Sequence, residues 1–109
     1  MSVIINITFL INPLNEEKIL SWVRASMLPM LFNPESPARN CALRKVIEVG
    51  GEVPSPEHGL SIALQAEFEN QEEVRKWNST FLESALGDYH LNFGPESLFF
   101  VTLLENLPL

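Results

Sequence analysis

Basic residues are scarce in this chain: seven Lys and Arg stand against fourteen Asp and Glu, for a formal net charge of −7. Phosphate binding needs a cluster of cations, so this balance argues against nucleic acid as a partner, and the acidic surface argues equally against anionic membranes. Cysteine is down to one, Cys41. That excludes an intrachain disulfide and a thiolate zinc cluster, and on an apolar strand such a residue is expected to be a small core side chain, not a nucleophile. Long hydrophobic runs are missing too. The opening MSVIINITFLINP has no basic region and is broken by Asn6 and Thr8, so it reads as neither signal peptide nor membrane span, and a cytoplasmic location is the default expectation. There is no glycine-rich phosphate cradle, because the GG at 50–51 falls in a hairpin and not before a helix. The two His, His58 and His90, have no second ligand at metal spacing. No metal and no cofactor is expected, haem included, since neither His reads as an axial ligand over a sheet.

What is present is patterned. At 109 residues the chain is expected to be a single domain, 1–109, with one two-layer core. Residues 2 to 11 alternate: Val3, Ile5, Ile7, Phe9 and Ile11 on one face, and Ile4, Asn6, Thr8 and Leu10 on the other. NPLNEE breaks this strand, with Asn15 as the expected N-cap of a helix. The apolar stripe of that helix is Ile19, Trp22, Val23, Met27, Met30 and Leu31, and Pro29 predicts a kink or an end near Leu28. A second strand is expected over 39–49, with Cys41, Leu43, Ile47 and Val49 inward. A Gly/Pro hairpin follows, then a third strand over 59–68 whose Leu60, Ile62, Leu64, Ala66 and Phe68 share a face. Asn70 with Glu73 suggests a capping box. The second helix buries Val74, Trp77, Phe81 and Ala85 and is expected to end near Gly87, leaving GDYHLNFGPE as loop. SLFFVTLL closes the sheet.

The order βαββαβ predicts an α+β, ferredoxin-like sandwich: a four-stranded antiparallel sheet in order 4-1-3-2 with two helices on one face. The expected core is Val3, Ile5, Ile7, Phe9, Trp22, Val23, Ile62, Leu64, Val74, Trp77 and Phe81. Both faces of the last strand are apolar, yet one chain has helices for only one of them. The uncovered, half-apolar sheet face measures about 440 Å² at ordinary strand spacing and rise, the upper range of what monomers expose. A second copy is the natural cover, and two-fold pairing is the commonest symmetry. A stable interface needs about 800 Å² per partner, so ENLPL, with Leu107 and Leu109, is expected to join the sheet face in a homodimer.

Several segments carry a resemblance: ITFLINPLNEEKILSWVRASMLPMLFN, ARNCALRKV and YHLNFGPESLFFVTLLENL. They resemble the uncharacterised bacterial family called domain of unknown function 4286, over nearly the whole chain. The resemblance implies a dimeric α+β barrel, in which two sheets face each other around a cavity. That family often carries a His where Met27 stands and an Arg where Val101 stands, and neither is kept here.

The expected cavity face presents Asn6, Thr8, Arg44, Glu48, Gln65 and Glu67 as ligand-contacting candidates, with Thr102 beside them. On a catalytic account, Glu67 or Glu48 is the base and Arg44 holds an anionic substrate. On a plainer account, the same charges are cross-strand pairs on a sheet surface. Tyr89 and His90 are candidates for the rim of a cavity, or ordinary loop residues. Two functions fit: a dimeric binding or interaction module with a small-molecule cavity, or a small cofactor-free enzyme of oxygenase or isomerase type acting on a small organic substrate.

Overall fold

The computed structural model describes residues 2–47, 60–95 and 97–109. The Gly/Pro hairpin, Glu48, Val49 and His58 lie outside the described residues. Four strands, β1 (Val3–Ile11), β2 (Arg39–Lys45), β3 (Leu60–Phe68) and β4 (Phe99–Glu105), form one antiparallel sheet in the order β2-β3-β1-β4. This is the expected order read from the opposite edge. Alternation in β1 decides the two layers: Val3, Ile5, Ile7, Phe9 and Ile11 are buried under the helices, opposite Leu60, Ile62, Leu64, Ala66 and Phe68 of β3. A one-residue slip would expose all of them, so the register is held firmly.

Two helical arms cross the inner face. The first comprises α1 (Glu16–Trp22), a π turn (Val23–Met27) and α2 (Leu28–Leu31); the second comprises α3 (Gln71–Trp77), a π turn (Asn78–Leu82) and α4 (Glu83–Phe93). The π turns explain where the buried stripes run. Ile19, Val23, Met27 and Leu31 are buried at a constant step of four. In an α-helix each such step overshoots the turn by ~40°, so the stripe would wind off the core. The wider π turn absorbs the overshoot. In the second arm the step from Trp77 to Leu82 is five residues, across the π turn, so Leu82 is buried and Phe81 only half-buried. Trp22 is half-buried as well, packing on Phe93 and Tyr89 with ring centroids 5.5 and 6.0 Å away. The remaining nine of the eleven expected core residues are buried.

The helix ends depart from expectation at both arms. Asn15 makes no capping hydrogen bond. Asn12 serves instead, its Oδ1 accepting from Leu14 N at 3.0 Å, and a 3-10 turn at Pro13–Asn15 leads into α1. The arm runs two residues past Pro29 and ends at Leu31. The missing proline N–H falls where the π turn has already left the α bonding pattern. Gly87 does not end the second arm either: α4 continues to Phe93, and Gly94, at φ 96°, makes the turn, with its N–H on His90 O at 2.8 Å. Tyr89, fully buried against Phe9 at 5.0 Å, gives the helix reason to continue past Gly87. Asn70 does cap α3, its Oδ1 accepting from Glu73 N at 2.9 Å, while Glu73 Oε1 accepts from Glu69 N at 2.8 Å.

A candidate ligand face on the open side of the sheet

The outer face carries Ile4, Asn6, Thr8 and Leu10 of β1, Ser61, Ala63, Gln65 and Glu67 of β3, Ala42 and Arg44 of β2, and Phe100, Thr102 and Leu104 of β4. Register puts Asn6 between Gln65 and Thr102, and Thr8 between Ala63 and Phe100. Four of the candidate residues are joined in one hydrogen-bonded row across three strands. Arg44 Nη1 donates to Gln65 Oε1 at 2.6 Å, Gln65 Nε2 to Asn6 Oδ1 at 3.0 Å, and Asn6 Nδ2 to Thr8 Oγ1 at 2.9 Å. Apolar side chains flank the row: Leu10 is 37% exposed, Phe100 56% and Leu104 49%. Together they leave a contiguous apolar border along the β4 side of this face.

Glu67 sits apart from the row and is tied to other partners. Its Oε1 accepts from Asn40 Nδ2 at 2.7 Å and pairs with Arg39 Nε at 3.5 Å, and its Oε2 accepts from Asn106 Nδ2 at 3.2 Å. Hydrogen bonds from Asn40, Ser2 and Arg39, in that order of weight, hold its carboxyl below the ordinary glutamate range. A lowered value makes a weaker proton acceptor, so these contacts are those of a carboxylate fastening its neighbours. Glu48 lies outside the described residues. A depression of about 220 Å³ lies between Ile4, Asn40, Arg44, Gln65, Ala66 and Glu67.

Sequence reasoning passed over Asn40, Arg39, Ser2 and Asn106. Asn40 has φ 52°, and the β2–β3 register is irregular between Arg39 and Ala42. The bulge brings Asn40 to Glu67. Asn is among the few residue types that tolerate a left-handed backbone, and that was the available signal.

Three further expectations need correction. Cys41 is exposed, not a core residue, because it stands on β2, an edge strand that the helices cover only in part. Around it Leu28, Phe32, Leu43 and Leu64 leave a hollow of about 80 Å³. Local burial still pushes the thiol pKa up, which disfavours the thiolate. Ile47, expected inward with it, is also exposed. Tyr89 and His90 lie on α4 in the inner layer and rim nothing on the open face. His90 Nε2 donates to Ser97 O at 2.9 Å and its ring lies 5.1 Å from Phe99. The Tyr89 hydroxyl is buried without a hydrogen-bond partner among the described residues, and burial pushes its pKa up.

Among the described residues no cluster of His, Cys, Asp and Glu has the arrangement of a metal site, and no helix is long and apolar enough to cross a membrane.

No family model matches the sequence, and no curated protein matches it. Solved structures do. An ethyl tert-butyl ether D (EthD) family protein from Bacillus halodurans superposes with a TM-score of 0.70 at 16% identity, covering 98% of this chain and 100% of that one. A monooxygenase from the gene ActVA-Orf6 of Streptomyces coelicolor, bound to nanaomycin D, gives 0.66 at 11% identity over 99% and 89% of the two chains. A DABB family protein with a ferredoxin-like fold from Mesorhizobium loti gives 0.59 at 12% identity over 99% and 100%. At such identities the likeness is one of architecture: the chain has the ferredoxin-like fold shared by EthD and dimeric α+β barrel proteins.

Proposed function

We propose that this chain is a member of the domain of unknown function 4286 that acts as a homodimeric binding or interaction module, with a small-molecule cavity between two facing sheets. The contrast between the two edge strands carries the reading. β2 is guarded as free edges usually are, by Arg39, Arg44 and Lys45 and by the bulge at Asn40. β4, with the sequence FFVTLLE, has no basic residue and no Pro. Phe100 and Leu104 are exposed on its outer face and Val101 and Leu103 on its inner one. An unguarded edge of this kind belongs under a partner.

The molecule is a slab 38 × 37 × 20 Å, one sheet and one helix layer thick at ~10 Å spacing. A second copy supplies the missing layer. The outer face, the β4 flank and the segment carrying the exposed Leu107 and Leu109 together approach the ~800 Å² per partner of a stable interface. Asn6, Thr8, Arg44 and Gln65 then line the shared cavity, with Glu67 near its rim. Sedimentation velocity at micromolar concentration tests the assembly: about twice the 12.3 kDa of one chain is expected, and a single species at one chain mass would sink it. Mass spectrometry under native conditions then shows whether a small molecule travels with the dimer.

Likeness to the monooxygenase supports a second reading, a cofactor-free oxygenase or isomerase acting on a small organic molecule. Oxygen uptake with a panel of small aromatic molecules separates it from a pure binding module.

A further inference from the structure

The polar row of the open face has a direction. A guanidinium can only donate, so Arg44 fixes the sense of the first link, and Gln65 meets it with its amide oxygen. Gln65 must then turn its NH₂ toward Asn6, and Asn6 turns its NH₂ toward Thr8. Every link runs the same way. Thr8 is the last member. Its oxygen accepts from Asn6, and its own hydroxyl donates to no acceptor among the described residues. A chain headed by a cation polarises each bond in the same sense, so the terminal hydroxyl is a stronger donor than a lone threonine.

The surroundings of Thr8 define what such a donor meets. Its register partners are Ala63 on one side and Phe100 on the other, and Leu10 is the next residue on the same strand face. A polarised donor bordered by Ala63, Leu10 and an exposed ring, with the Thr102 and Ser61 hydroxyls diagonal to it, is a recognition pattern for an acceptor oxygen on an otherwise apolar molecule. We propose that Thr8 is the donor end of a ligand subsite taking the carbonyl oxygen of a small flat aryl ketone, with the ring lying against Phe100 and Leu10. The inference rests on the reading above, since the partner's sheet must close the other side of the ligand.

A matched pair of probes tests it: 2-acetylnaphthalene and 2-ethylnaphthalene, which share a ring system and differ in the carbonyl. Binding of each is measured by fluorescence on the wild-type protein and on three variants whose sedimentation is recorded alongside. One neutral hydrogen bond corresponds to roughly a 3- to 10-fold affinity difference. Thr8→Val, which keeps the side-chain shape, is expected to lower the ketone-to-hydrocarbon affinity ratio by that factor. Thr8→Ser is expected to retain the ratio, and Asn6→Leu, which cuts the row upstream, to lower it in part. A dimer that binds neither probe, or a ratio within twofold of wild type in Thr8→Val, overturns the subsite. A wild-type protein that sediments as a single chain removes the dimer itself, so the two failures are told apart.

Discussion

At Trp77 the indole lies 4.9 Å from the Phe68 ring of β3 and stacks at 17° on Phe32, while its Nε1 donates to Leu31 O at 2.9 Å. One side chain thus joins both arms to the sheet and satisfies a carbonyl at the end of α2. Trp77→Ala is expected to cost about 3–5 kcal/mol in chemical denaturation. Trp77→Phe keeps most of the apolar contact but orphans Leu31 O, and is expected to cost about 1–3 kcal/mol. Glu67 acts through charge instead. Its folded pKa lies below the ordinary 4.5, so its stabilising contribution is in place above that value and is lost as the pH falls through the lowered one. Acid titrations of wild type and Glu67→Gln followed by circular dichroism should therefore converge as the pH falls through the lowered Glu67 value, with the wild type the more stable above the ordinary glutamate range. The position of Glu67 on the outer face was legible from alternation. Its partners were not, because the Asn40 bulge shifts the register of β2 by an amount no period-two pattern contains.

Both arms are built alike: seven residues of α-helix, five of π turn, then α-helix again. Element order and strand faces were readable because each strand alternates and each helix has a stripe. The π turns were not, since a step of four or five residues fits an α stripe nearly as well until packing decides. That is why Phe81 was expected where Leu82 is found. The same limit explains Gly87, which looks like a terminator in sequence but faces solvent within α4. A Cβ built on it meets nothing within 4 Å. Gly87→Ala is accordingly expected to stabilise the protein by about 0.5–1 kcal/mol, read as a raised thermal midpoint. A lowered midpoint would show that α4 does not continue through this position.

For the whole molecule, folding and association are linked, so the thermal midpoint of the wild type should rise with protein concentration. Replacing Phe100 with Asp and deleting residues 107–109 sets a charge where the second copy packs. The double change is expected to cost several kcal/mol of association and to leave a midpoint independent of concentration. A wild-type midpoint flat across a hundredfold dilution would contradict the dimer. The position of β4 also bears on how the chain is made. Of these four strands β1 leaves the ribosome first and β4 last, yet they lie side by side, Val3 opposite Glu105. Until β4 has emerged, the β4 side of β1 keeps a row of unpaired peptide groups beside its apolar face. Such late, long-range closure slows folding and leaves nascent chains able to pair with one another. Crowded synthesis at high expression is therefore where this protein is most exposed to aggregation, and slower translation or lower temperature should raise the soluble yield more than any change to the finished surface.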